Sequence, residues 1–370
     1  MRRRSLTLFL CGDVMLGRGV DQILDHPGDP ALREASVRDA RDYVGLAEAV
    51  NGPVPRPAGD RWPWGDALAV LEESSPGVRI VNLETSVTRS DDFWPGKAVH
   101  YRMNPANLSC LAVARPDVCA LANNHVMDFG RRGLAETLDA LTGAGFRAAG
   151  AGREIREARR PVVLTPDGSG RVLVFSCGME SSGVPASWAA TADRSGVDLV
   201  PEPAHIGTAE IAGRVRRAKG PGDLVVVSLH WGSNWGYHVP PAQRRFAHAL
   251  VDAGVDVVHG HSSHHPRPVE VYRDRLVLYG CGDLIDDYEG IAGYERYRDD
   301  LRLLYLASLD ADTGSLLGLT MIPMRARRLR LDRACDQDAE WLRAVLDQES
   351  HAFGAAVAHT PDGTLTLHSR

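Results

Sequence analysis

Lysine is almost missing from this chain: Lys97 and Lys219 are the only two in 370 residues, and arginine supplies the rest of the positive charge. That skew matches GC-rich coding and carries no functional conclusion. An excess of positive charge is missing too. The formal net charge is -6, which leaves no basic face for nucleic acid and no polybasic arm for anionic lipid. Paired cysteines are absent: Cys11, Cys110, Cys119, Cys177, Cys281 and Cys335 are scattered with no C-x-x-C spacing, which excludes a zinc ribbon or a thioredoxin motif. Several lie inside apolar runs, as small core residues do. No apolar stretch approaches the roughly 20 residues of a membrane span. The opening "MRRRSLTLFLCGD" has the charge order of a signal peptide, but the run Leu6 to Cys11 is too short for one. It is expected to be the first strand of a cytoplasmic domain.

What is present is 44% hydrophobic residues, enough for one large domain or two ordinary ones. Short, nearly continuous apolar runs recur: "LTLFLC", "RIVNL", "DVCAL", "VLVFSC", "LVVVSLH", "VDVVHG", "LVLYG" and "LRLLYLASL". Such runs predict buried strands. Helical patterns separate them at Arg131 to Leu141, Thr208 to Ala218 and Pro241 to Ala253, the last opening with Pro-Pro and closing at Gly254. Alternating strands and helices predict an α/β layered domain over about 1–325. The Pro-, Gly- and charge-rich segment Asp21 to Pro76 is expected to be an excursion over one end of the sheet. A C-terminal strand and helix, 326–370, is expected to pack on the core. There is no internal repeat and no low-complexity tract.

The polar residues fall at strand ends. Asp13 follows "LTLFLCG", Asn82 and Glu84 follow "RIV", and Asn123, Asn124 and His125 follow "VCALA"; His230 ends "LVVVSL". The stretch "VHGHSSHHP" then places His259, His261, His264 and His265 within seven residues. In layered α/β proteins ligands collect at the carboxyl ends of strands, so these five ends are expected to share one cleft. Carboxylate, amide and imidazole together suit Mn, Fe or Zn rather than Ca or Mg. Each residue has an ordinary alternative: Gly-Asp as a turn, "NLE" as a helix cap, "NNH" as a polar turn, His230 as a core histidine, and "HGHSSHH" as a solvated loop. Their recurrence after successive buried strands is what points to metal.

The ordered set "CGDVMLGR", "VNLETSVT", "LANNHVMDFGRRGL", "SLHWG" and "GHSSHHPRPVEVYRDRLVLYGCGD" resembles the CapA family, the poly-γ-glutamate capsule synthesis proteins of the calcineurin-like metallophosphoesterase superfamily. The resemblance spans about Leu6 to Tyr288. It implies a four-layer α/β/β/α sandwich with two divalent transition metals at one edge. It implies Asp13 as first ligand, Glu84 as bridging carboxylate, Asn124 as amide ligand, His125 as catalytic neighbour, and His230, His261 and His264 as further ligands. Two departures stand out: Asp13-Val14-Met15 replaces Asp-x-His, and two serines rather than one residue separate His261 from His264.

From a paired site one expects a metal-dependent hydrolase acting through activated water, with His125 stabilising the transition state or protonating the leaving group. Arg18 is expected to offer charge to a phosphate or carboxylate. Asn82, His100, Tyr101 and Arg102 are expected to line the cleft, and Asp283 its rim or outer shell. A phosphoester is the first substrate class and a γ-glutamyl or other amide the second. The third reading is a non-enzymatic component of polymer synthesis or export. The specificity loops Asp21 to Pro76 and Met179 to Ile206 carry no readable motif.

Overall fold

The computed structural model describes residues 4–166, 170–201 and 204–369, so Arg2 and Arg3 of the leader-like opening and positions 202–203 of the second loop lie outside the described residues. All eight apolar runs form strands, and they sort into two sheets. The ten-stranded sheet is built around Ser5–Val14. One neighbour is Val78–Leu83, parallel to it and followed by Val118–Ala120 and Ala148–Ala149; the other is the antiparallel Leu301–Asp310. The six-stranded sheet holds Val172–Gly178, Leu224–His230 and Val257–His261 in parallel, with Arg275–Leu278, Val269–Tyr272 and Val162–Leu164 outside them.

The burial of alternate residues dictates how these sheets stack. Along Ser5–Val14, Leu6, Leu8 and Leu10 face Val172, Val174, Leu224, Val226 and Val257 of the other sheet, forming one core between sheets. Phe9 and Cys11 point the opposite way, toward helices Ala67–Ser74 and Gly130–Gly143. On the far side, Phe175, Val225, Val227 and Val258 pack against helices Ala204–Ala218 and Pro241–Asp252. Period-two alternation with both faces apolar requires cover on both sides. The result is the α/β/β/α order of four layers.

Pro241 opens its helix at the first turn, where the missing N–H costs nothing, and Phe246, Ala247, Leu250 and Val251 form its buried stripe. The Asp21 to Pro76 segment is only partly an excursion. Trp64, Leu68 and Leu71 enter the core of the helical layer, whereas Ile23, Val44, Ala47 and Val54 build a small satellite cluster with Leu329. Beyond residue 326, strands Ala355–His359 and Leu365–Ser369 extend the large sheet, and Leu342 and Leu346 of helix Asp336–Ser350 enter the core between sheets. Among the described residues no helix is long and apolar enough to cross a membrane.

Candidate metal centre

Because the central strands of each sheet run parallel, their carboxyl ends lie together, and the two sets of ends meet across the seam between sheets. Asp13 sits opposite Asn82 on one side and Asp283 on the other, and His230 sits opposite His261. The seam is tied by His259, whose Nε2 meets the Cys11 carbonyl at 2.7 Å, and by the Ser262 amide, which donates to Asp13 Oδ2 at 3.3 Å. All five predicted strand ends converge.

Distances divide the residues into two donor groups. Asp13, His230 and His261 each offer an atom within 4.8 Å of the others, and so do Asp13, His264 and Asp283; Asp13 is common to both. His230 Nδ1 and His261 Nδ1 are 2.8 Å apart, and His261 Nδ1 is 3.9 Å from Asp13 Oδ1. His230 Nε2 lies 2.9 Å from Asn124 Oδ1 and 3.7 Å from Glu84 Oε1. Glu84 also faces His125 Nε2 at 3.8 Å. Glu84 therefore reaches His230 and His125, while Asp13 is the shared carboxylate. His264 Nδ1 lies 2.9 Å from Asp283 Oδ1, and its Nε2 is 3.0 Å from the Asn234 amide.

Burial sets the electrostatics. Desolvation, reinforced by Asp283, raises the Asp13 carboxyl to about 7, and burial beside Asp13 and Asp283 raises Glu84 well above its ordinary range. Burial pushes the His230 and His261 imidazoles far down, which leaves them neutral, the form in which an imidazole coordinates. His264 is the exception: burial opposes its charge, but Asp283 outweighs it and raises the imidazole. The three carboxylates crowd one another; His264 and Arg302 act on Asp283, which also shares a hydrogen bond with the buried Asp286 carboxyl, and Lys97 acts on Glu84. Carboxylates and neutral imidazoles are the donor set a divalent transition metal takes. The residues fit such an ion.

Several predicted residues sit elsewhere than expected. Asn82 is fully buried; its amide donates to Asp13 at 2.7 Å and to Glu84 at 3.2 Å, holding the acids rather than facing a substrate. Arg18 is not a free charge. It donates two bonds to Asp287 and one to Glu34, with its guanidinium 3.6 Å over Tyr43 and 4.4 Å from Tyr101. His100 packs edge-on against Phe93, and Arg102 donates to the carbonyls of Ser90 and Asp29 over the Phe129 ring. Neither side chain touches the donor groups. Tyr101 lies beside His125, its ring edge-on at 4.7 Å. Asp283 is at no rim: it is 1% exposed and belongs to a donor group.

Three residues that sequence reasoning missed complete the surroundings. Asp128 Oδ2 lies 2.7 Å from His125 Nδ1, Lys97 Nζ lies 3.0 Å from the same nitrogen and 2.7 Å from Asp128 Oδ1, and Ser228 Oγ lies 2.8 Å from His261 Nε2. Burial, aided by Lys97, holds His125 down at about 4. Asp128, three residues beyond His125, was readable in "NNHVMD"; Lys97 had only its rarity as a signal.

A family model described as bacterial capsule synthesis protein PGA_cap matches residues 7–288. The probable polyglutamine synthesis accessory protein of Mycobacterium tuberculosis is 54% identical over 363 residues, covering 98% of this chain and 96% of that protein. The capsule biosynthesis protein CapA of Bacillus anthracis is 26% identical over 302 residues, covering 81% of this chain and 64% of that one. Among solved structures, a 5'-nucleotidase precursor from Thermus thermophilus superposes with a TM-score of 0.48 at 15% identity, covering 94% of this chain and 59% of that one. With its ordered motifs gathered at one seam and a family model spanning most of its length, the chain belongs to the bacterial capsule synthesis protein family, PGA_cap.

Proposed function

We propose that the chain is a metal-dependent hydrolase of an anionic substrate, with Asp13, Glu84, Asn124, His230, His261 and His264 holding two divalent transition metals. The observation that carries this reading is the pair of buried donor groups sharing Asp13. When bound, such cations bring the pKa of a coordinated water toward neutrality and stabilise charge on the attacking and leaving oxygens. The protein supplies the rest. Asn82 orients Asp13 and Glu84 through its amide, and the seam between sheets keeps bulk water from the acids. His125 is the proton-handling group. Its Nδ1 donates to Asp128, the nearer of its two partners, which turns Nε2 toward Glu84. Lys97 and Asp128 fix the ring, so proton movement at Nε2 needs no reorientation.

Phosphoester cleavage is the first reading for the scissile bond. Cleavage of a glutamyl amide is the second, favoured by the names of the relatives, which refer to polyglutamine and capsule synthesis. The test is a metal-loaded assay of p-nitrophenyl phosphate, bis-p-nitrophenyl phosphate and a γ-glutamyl anilide side by side. Release of p-nitrophenol supports the first reading, and release from the anilide alone reverses the order. Silence on all three with tight binding of poly-γ-glutamate moves the chain to the non-enzymatic role. In an active preparation, His125→Ala should lose about 10²- to 10⁴-fold in turnover with its metal content intact.

A further inference from the structure

The tripeptide Cys-Gly-Asp occurs twice, at 11–13 and 281–283. The fold lays the two copies against each other. Asp13 and Asp283 are partners in parallel pairing, and the Asp13 amide donates to the Gly282 carbonyl at 3.0 Å. The approach depends on both glycines: a Cβ on Gly12 would stand 1.5 Å from the Gly282 oxygen, and Gly282 has a φ of +77°. No other residue type allows the backbones this close.

The consequence is two aspartates side by side in a dry interior, at 0% and 1% exposure. Like charges so placed are relieved by a proton on one carboxyl or by a cation between the two. The nearby arginines provide it only in part: Arg302 ion-pairs with Asp286 and reaches Asp283 through its field alone, and Arg18 is spent on Asp287 and Glu34. His264 reaches one oxygen of Asp283, and the remaining side-chain partner is the buried Asp286 carboxyl, which brings no positive charge.

We infer that Asp283 is itself a metal ligand, completing with Asp13 and His264 a cation position separate from the one at Asp13, His230 and His261. This rests on the two-metal reading and deepens it, since it assigns to the second cation a carboxylate from the second Cys-Gly-Asp. The rival is an orienting role, in which Asp283 only holds the His264 ring; outer-shell partners of that kind weaken affinity about 10- to 100-fold and leave the number of ions unchanged.

Stoichiometry at saturating Mn²⁺ separates the two roles, read by elemental analysis and by the spin-coupled signal of adjacent Mn²⁺ ions. The wild-type chain should take up two ions with a coupled signal. Asp283→Ala should take up one, uncoupled, and so should His230→Ala; the double variant should take up none. Should Asp283→Ala not fold, as judged by circular dichroism, Asp283→Asn takes its place. It keeps an acceptor for His264 Nδ1, and it should bind the second ion at least 100-fold more weakly while the first is unaffected. Two coupled ions in Asp283→Ala, or a weakening of less than 100-fold in Asp283→Asn, would overturn the assignment and leave the two-metal reading standing. A wild-type chain that binds no Mn²⁺, Fe²⁺ or Zn²⁺ would instead remove the reading beneath it.

Discussion

The two sheets bring different chemistry to one seam. The ten-stranded sheet ends in acids, Asp13, Glu84 and Asp283, whereas the six-stranded sheet and the loop after it end in imidazoles, His230, His261 and His264. Neither half is a site alone. The acids without the imidazoles are a repulsive cluster, and the imidazoles without the acids are neutral rings hydrogen-bonded to one another. A donor set arises only when the apolar faces of Leu8, Leu10, Val174 and Val226 stack, so the hydrophobic core between the sheets assembles the chemistry at its edge. The difference also explains why the acids are the more critical half. Asp13 belongs to both donor groups, and each imidazole to one.

That asymmetry gives the largest expected effect. Asp13→Ala should reduce metal content from two ions toward none, because each group loses a member, whereas His261→Ala should lose one ion and keep the other. Elemental analysis of the two variants after saturation checks it; equal losses would mean that the halves are equivalent. Removing metal from the wild-type chain by chelation should lower its melting temperature, since the ions bind the folded state alone.

A second contrast lies within the acidic half, between carboxylates that the protein neutralises and those it does not. Asp287 and Glu34 are satisfied by Arg18, itself 3% exposed and stacked on Tyr43. Arg18→Met should leave both carboxylates buried and unpaired, and such losses cost about 3–5 kcal/mol. The expected result is a large drop in the midpoint of urea unfolding. Metal stoichiometry should be unchanged in the folded fraction, because Arg18 is a clamp between loops and not part of a donor group.

How much of this was legible follows the same division. The strands were readable because both faces are apolar, and the ligand candidates were readable because polar residues interrupt such runs abruptly. What could not be read was pairing across the chain. Asp283 lies 270 positions from Asp13, and only the parallel pairing with its two glycines shows that the repeated Cys-Gly-Asp is one feature. Arg18 was misread for a related reason. Its partner Asp287 is equally remote, and a sequence shows that an arginine is present but not that its charge is already taken. The strand Leu316–Ala326 escaped notice because Gly318, Thr320 and Pro323 break its apolar pattern.

Four histidines in seven residues raise the sharper question of which ones coordinate. His259 bridges the sheets, with Nε2 on the Cys11 carbonyl and Nδ1 3.2 Å from Ser228. Both nitrogens are occupied. His259→Ala should therefore leave both ions bound while costing about 1–3 kcal/mol for the unsatisfied carbonyl. Its acid dependence has a definite sign. Burial holds this imidazole at about 4 against an ordinary 6.5, so the unfolded chain takes up a proton that the fold refuses. The contribution is whole above pH 6.5 and is lost as pH falls toward 4. The variant should lose less stability than the wild type across that window.

The smallest effect on metal belongs to His265, and its surroundings say why. It is buried at 1% exposure and is a member of neither donor group. Its Nδ1 faces the Pro266 carbonyl at 3.0 Å, and its Nε2 accepts the Gly236 amide proton at 3.0 Å. Those two partners fix one tautomer, Nδ1–H with the Nε2 lone pair spent, and leave no electron pair for a cation. The ring stacks on Tyr297 at 4.5 Å and meets Tyr237 edge-on, so its work is to hold the 235–237 loop against the aromatic cluster. Next to it, His264 also has a partner on each nitrogen, Asp283 on Nδ1 and the Asn234 side chain on Nε2; what separates it from His265 is the pair of buried carboxylates, Asp13 and Asp283, grouped around it. His265→Ala should accordingly keep two ions with affinity changed by less than about threefold and lower stability by about 1–3 kcal/mol for the lost hydrogen bonds. His264→Ala should release one ion outright. Isothermal titration with Mn²⁺ on both variants decides it: loss of an ion from His265→Ala would mean that the imidazoles of this loop exchange roles, and the division between its neighbouring histidines would fall.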